Sequence, residues 1–159
     1  MHEVKLDCRD YSTRDYTGPG VYTIQCPIEL YGGRQMKPSF YLAGKYSDRE
    51  KLHAYASALR ANGFYVNAEW LEGNHEARDA KSQAKYANAD FADIRNSTRF
   101  LVVQNSEQSA GRNIELGYAL ALGRHTVTVG SVTSVFHHLV TQQFATFEEF
   151  LEDLKSQFS

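Results

Sequence analysis

The sequence predicts an α/β fold, a mostly parallel sheet with helices on both faces. Three observations carry that reading. From residue 39 onward, short apolar runs of strand length alternate with longer segments of helical periodicity. Two of the runs, SFYLAG (39–44) and RFLVVQN (99–105), are apolar throughout most of their length, as buried strands are. The segments between strands are long enough to cross back over a sheet, which parallel neighbours require.

Before residue 39 the pattern is irregular. VYTIQCPIEL (21–30) has strand-like content between Gly18-Pro19-Gly20 and Gly32-Gly33, and reads as a hairpin arm or an edge strand. Pro27 argues against a central strand, because proline cannot donate to a ladder. Residues 1–38 are therefore set apart as an N-terminal β-rich extension and 39–159 as the main domain. SFYLAG opens the regular part. A helix over 47–63 follows, with Ser47 and Glu50 in capping-box spacing, an apolar stripe at Leu52, Tyr55, Ala56 and Leu59, and a stop at Asn62-Gly63. FYVNAEW (64–70) reads as the next strand, and 71–80 as a polar loop or helix start. Residues 81–97 are helical, 99–105 a third strand and 105–111 a loop. A helix follows over 113–123, closed by Gly123. HTVTVGSV (125–132) is a fourth strand. FATFEEFLEDLKSQF (144–158) is an amphipathic helix with a second capping-box pair, Thr146 and Glu149.

The totals narrow the function. Lys and Arg number 17 against 19 Asp and Glu, a formal charge of −2, which does not favour a nucleic-acid polymer or an anionic membrane as partner. No apolar run is long enough to span a bilayer, and the polar start MHEVKLDCRDYSTRD lacks a signal-peptide core. Cys8 and Cys26 form no CxxC pair and read as free thiols in a cytoplasmic protein.

In such sheets ligands bind beyond the carboxyl ends of the strands. That points to Gly44–Ser47, the loop after Trp70, residues 104–112 and Gly130–Ser134. The third of these leads into IELGYALAL (114–122), apolar or glycine except for Glu115. At helical spacing Glu115 shares a face with Tyr118, Ala119 and Leu122 and is expected in the first turn. Burial raises a carboxyl pKa, whereas a helix N-terminus lowers it. A Glu held there can serve as nucleophile or electrostatic stabiliser, or it can simply cap the helix or pair with Arg112 or Arg124. Ser109-Ala110-Gly111 places small residues before a helix N-terminus, where an anion can approach the backbone N–H groups, with Arg112 adding charge. Upstream, YANADFADI sets Asp90 and Asp93 three apart on one helix face, which reads either as a solvated face or, given the apolar neighbours of Asp90, as an inward-facing carboxyl. His137-His138 lack companions for a ligand set, so no metal is expected. Trp70, Tyr46 and Phe136 could stack on a base or simply pack.

Taken in order, FYLAG, YANADFADI and SAGRNIELGYALALG resemble the nucleoside 2-deoxyribosyltransferase family, whose superfamily includes the deoxynucleoside 5′-monophosphate N-glycosidases. The similarity covers about residues 39–150. It implies a flavodoxin-like sheet and an enzyme that cleaves the N-glycosidic bond of a nucleoside or its 5′-monophosphate, with transfer to another base or to water. By the same resemblance Glu115 is the nucleophile, Asp90 handles the leaving base and Tyr41 lies near both sugar and nucleophile. Gly44, Lys45, Asp93, Ser109, Gly111, Arg112 and Asn113 are its candidate substrate-binding residues. Position 109 is the discriminating one. Nucleoside transferases tend to carry Asp there, for the sugar 5′-hydroxyl, and the monophosphate hydrolases Ser, for the phosphate. The chain departs from the hydrolases after its first strand, with KYSDRE in place of an Arg-Gly-Gly-Arg loop. GSVTSVFHHLV (130–140) resembles a loop that closes the site. The family calls for no cofactor and implies homo-oligomers. Alternative readings are a strict monophosphate hydrolase, a non-catalytic nucleotide sensor and an NAD-cleaving relative. The short loop at 109–111 leaves little room for the last.

Overall fold

The computed structural model describes residues 30–31, 34–73, 78–105, 107, 109–132 and 134–158. The chain divides into two units between Met36 and Lys37. In the first, Leu30–Tyr31 (β1) pairs antiparallel with Arg34–Gln35 (β2). The strand expected at 21–30, except Leu30, and both cysteines lie outside the described residues.

In the second unit five strands form one parallel sheet: Ser39–Ala43 (β3), Tyr65–Asn67 (β4), Arg99–Gln104 (β5), His125–Gly130 (β6) and Gln142–Phe144 (β7). Their order is β4-β3-β5-β6-β7, the flavodoxin-like order. The helices are Arg49–Ala61 (α1), the short Glu69–Glu72 (α2), Ala80–Asn96 (α3), Ala110–Ala121 (α4) and Phe147–Gln157 (α5). The chain leaves β3 in one direction through α1 and returns across it through α3. Right-handed crossovers therefore put α1 and α3 on opposite faces. α4 packs beside α3. Tyr55 of α1 stacks on Phe147 of α5 at 3.9 Å, so these two helices share the other face.

Strand alternation gives the faces different interiors. Phe40 turns toward α1 and α5, edge-on to Phe64 at 6.0 Å and Phe150 at 5.8 Å. Its neighbour Tyr41 turns the opposite way and stacks on Phe100 at 5.7 Å. The direction of the crossover from β3 to β4 and then to β5 reverses beside β3, so the switch point lies between β3 and β5.

Four sequence expectations need correction. The Ser47/Glu50 capping box does not form, because Tyr46–Asp48 makes a 3-10 turn and α1 starts at Arg49. The second box does form, with Glu149 N–H on Thr146 Oγ1 at 3.2 Å and Thr146 N–H on Glu149 Oε2 at 3.3 Å. The strand expected over 64–70 ends at Asn67. Asp93 Oδ2 accepts the Glu69 N–H at 2.9 Å, and the chain turns helical, carrying Trp70 into α2. α4 begins three residues before the expected start because Ser109 is its N-cap, with Oγ accepting the Arg112 N–H at 3.4 Å. A fifth strand, β7, is present where QQF carries too little apolar pattern to announce one.

Candidate active site

The earlier start of α4 moves Glu115 from the expected first turn to the second. The buried stripe of α4 is Arg112, Leu116 and Ala119, while Leu122 is exposed. Glu115 thus lies at the edge of the buried stripe, where its carboxyl reaches β3. The Tyr41 hydroxyl donates to Glu115 Oε1 at 3.0 Å.

α3 supplies the second carboxyl. Phe91 packs against Tyr118 of α4 at 4.5 Å between ring centres, and Arg95 Nη1 donates to Tyr118 Oη at 2.9 Å. These contacts hold the helices side by side and set Asp90 toward the same hydroxyl. Both carboxyls are held protonated well above the ordinary range. Asp90 is pushed up to about 6, by burial first and then by the charge of Asp93, with a hydrogen bond from Tyr41 opposing. Glu115 is pushed up to about 8, by burial first and then by Asp90, with Tyr41 and Arg112 opposing. The Tyr41 phenol is itself driven well up, by burial and then by the two acids, and stays neutral. Groups this close release their protons as a pair, so around neutrality the pair keeps one.

The other predicted residues occupy several places around this cluster. Asp93 lies one turn beyond Asp90, and its carboxylate is engaged with the first N–H of α2. Lys45 and Glu107 form an ion pair between the loops after β3 and β5. Gly44 lies against α1, where a Cβ would run into the Leu52 side chain. Ser109, Gly111 and Asn113 surround the open start of α4. Gly111 and Asn113 are exposed, and the Asn113 N–H bonds Ser109 O at 3.3 Å. Arg112 is instead buried, 2 % exposed. Its Nη1 donates to Val103 O at 3.1 Å, and its Nη2 to Asn105 Oδ1 at 3.2 Å and to Glu107 O.

Trp70 donates from Nε1 to Leu42 O at 2.9 Å, which fixes it in the wall of a cleft of about 310 Å³ between α2 and α3. Ala89, next to Asp90, lines the same cleft. Tyr46 and Phe136 are exposed. His137, in a 3-10 turn over Val135–Leu139, is buried against Gln104, with Nε2 2.9 Å from the amide nitrogen. Burial lowers its pKa, as do the Arg112 and His138 charges.

Sequence reasoning missed Asp48 and Asn105. Asn105 Nδ2 donates to Asp48 Oδ2 at 2.8 Å, joining the loops on either side of the switch point. The available signal was positional, since both are polar residues in loops that follow strand carboxyl ends, Asn105 directly after β5 and Asp48 in the turn between β3 and α1.

Residues 40–151 match the sequence model of the nucleoside 2-deoxyribosyltransferase family. The chain belongs to that family. Two solved structures show how far the family fold extends. The CMP N-glycosidase BcmB of Clostridium botulinum is 17% identical over 74% of this chain and 98% of its own, with a TM-score of 0.54. A 2-deoxyribosyltransferase of Bacillus psychrosaccharolyticus is 16% identical over 71% and 90%, with a TM-score of 0.61. No curated protein sequence matches the chain. In this member of the nucleoside 2-deoxyribosyltransferase family, Tyr41, Asp90 and Glu115 all fall inside the matched segment.

Proposed function

We propose that the domain over residues 39–159 cleaves the N-glycosidic bond of a deoxynucleoside or its 5′-monophosphate through a covalent glycosyl-Glu115 intermediate. The observation that carries this reading is the Tyr41 hydroxyl held on Glu115 beside Asp90. Two carboxyl groups facing one hydroxyl suit a retaining path, in which one is the nucleophile and the other serves first as acid and then as base.

Around neutrality the pair's one proton rests on Glu115, the group pushed up further; in the reacting state it passes to Asp90 and leaves Glu115 ionised. Donation from Tyr41 stabilises the Glu115 carboxylate. A base seated beside Asp90 displaces the remaining water from it and favours its protonated form. A Glu115 oxygen attacks the anomeric carbon. The bonding pair leaves with the base nitrogen, which takes the Asp90 proton. Asp90, now ionised, accepts a proton from water or from a second base. That nucleophile displaces Glu115 from the sugar, and two inversions give net retention.

Ser109 accepts a backbone N–H as N-cap, so its own proton is available to a phosphate oxygen. A carboxylate at that position would repel a phosphate dianion. The open first turn of α4 lies beside it in the site we assign to the 5′-phosphate, and Lys45, paired with Glu107, is a cation of the loop after β3. The domain works as a cytoplasmic homo-oligomer in this reading.

Chromatography of products is the test. The chain is incubated with a panel of deoxynucleosides and their 5′-monophosphates, with and without a second free base. Base released in water alone defines a hydrolase, and release restricted to monophosphates supports the phosphate site. A new nucleoside formed only with the acceptor base defines a transferase. Binding without any product would overturn catalysis and leave a nucleotide sensor.

A further inference from the structure

We propose that Arg112 is a positioning residue, tying the loop after β5 to the loop after β3 and keeping a positive charge beside Glu115. The inference rests on the reading of Glu115 as nucleophile.

Arg112 occupies a position where the helix pattern calls for an aliphatic side chain. It shares the buried stripe of α4 with Leu116 and Ala119. Burying a guanidinium there is costly unless its donors are used. Nη1 is used on Val103 at the end of β5, and Nη2 on Asn105 and Glu107 in the following loop, while Nε is buried without a partner among the described residues. Asn105 passes the connection on. Its amide oxygen accepts from Arg112 while its amide nitrogen donates to Asp48, in the turn that precedes α1. One line of hydrogen bonds therefore runs from α4 across the switch point to the loop after β3. Lys45 and Glu107 cross the same gap.

The acceptors of the guanidinium are three neutral oxygens, two backbone carbonyls and one amide. Among the described residues no carboxylate hydrogen-bonds to it directly, so its charge still acts on its surroundings. Glu115 is three residues along the same helix, the spacing of side-chain neighbours. The groups that face Glu115 are Tyr41 from β3, Asp90 from α3 and Arg112 from its own helix. Behind Arg112 lie Asp48 and His137, and Asp93 acts on Asp90 and Tyr41. Among the groups acting on Glu115, Arg112 is the cation. Asp90 works against ionisation of Glu115, and burial works against it more. Arg112 opposes both, and so favours the charged form that attack requires.

The test is a carbon-13 titration of the Glu115 carboxyl, assigned by the signal lost in Glu115→Gln, combined with the pH dependence of kcat/KM. In Arg112→Met the Glu115 midpoint is expected to rise by about one pH unit. The acid limb of kcat/KM moves with it, so the loss is about tenfold at pH 6 and only about twofold at pH 9. Arg112→Lys keeps the charge and should return the midpoint most of the way, while the loss of the fork raises KM. Should the Met variant fail to fold, Arg112→Gln retains an amide donor without charge and carries the same titration. An unmoved Glu115 midpoint in a folded uncharged variant, or an equal loss of activity at every pH, overturns the proposal. The titration needs no turnover. An inactive wild-type chain would therefore overturn the functional reading alone, and an active chain with an unmoved midpoint only this one.

Discussion

Phe40 and Tyr41 are consecutive on β3, and both are fully buried, yet they enter two kinds of interior. On the α1/α5 face Phe40 meets rings, with Phe64, Phe144, Phe147 and Phe150 forming a chain of edge and tilted contacts. On the α3/α4 face Tyr41 has one ring partner among the described residues, Phe100, and beyond it two acids whose protons are held well above the usual range. A strand with period-two alternation can thus serve cohesion on one side and chemistry on the other without either disturbing the backbone. The difference also divides the expected effects of mutation. Changes on the ring face should cost stability, and changes on the acid face should cost rate.

The largest expected effect is on the acid face. Glu115→Gln keeps the shape and removes the proposed nucleophile, and turnover should fall about 10⁴-fold, roughly 5.5 kcal/mol in barrier. Folding should not suffer. Folded Glu115 and Asp90 keep protons that the unfolded chain has already released, so they make wild-type stability fall as pH rises from about 4.5 toward about 8. Glu115→Gln removes that loss. Its Tm should exceed wild type by about 5 °C at pH 8.5, and the gap should close near pH 4. Calorimetry across that range checks the sign. A variant less stable at pH 8.5 would mean that Glu115 is an integral part of the core.

Phe40→Ala is the counterpart. It removes a fully buried ring from the other face and should cost about 3–5 kcal/mol of unfolding free energy. The folded fraction should keep its specific activity within about twofold. Urea titration and assays well below the transition separate the two quantities. A large loss of specific activity at full folding would show that the faces are not independent. Next in size is Tyr41→Phe, which leaves the stacking on Phe100 and removes only the hydroxyl. A rate loss of about 10²-fold with a small change in Tm is expected, because a hydrogen bond to an ionised group is lost from the reacting state more than from the fold. Rate and Tm falling together would make that hydroxyl structural.

How much of this was legible in the sequence also follows the two faces. The strands were readable where apolar runs are unbroken, as in SFYLA and RFLVV, and β7 was missed because QQF has one apolar residue. Thr146 and Glu149 cap α5 as their spacing implies, since nothing else competes for them. Ser47 and Glu50 have the same spacing and do not, because the turn at Tyr46–Asp48 places Asp48 at the cap and Asn105 then takes its carboxylate. That contact joins residues 57 positions apart and has no local signature. Glu115 stood out as the one acid in an apolar helix. Its partnership with Asp90 could not be read from spacing, because it depends on α3 and α4 packing on one face. Arg112 looked like an anion ligand for the same reason, since only the fold shows its guanidinium turned inward to Val103 and Asn105.

The smallest expected effect is the most selective one. Ser109 is the N-cap of α4 and, in the proposed function, also meets the phosphate. Asp is as good an N-cap as Ser, so Ser109→Asp should leave α4 and the Tm nearly unchanged. What changes is charge at the mouth of the site. A new carboxylate repels a phosphate dianion and can still accept from a sugar 5′-hydroxyl. KM for a deoxynucleoside 5′-monophosphate should rise about tenfold, while KM for the matching deoxynucleoside stays within about twofold. Raising the salt should shrink the difference, because screening weakens an exposed charge contact. Equal changes for both substrates would remove the phosphate from the start of α4 and leave Ser109 a helix cap only.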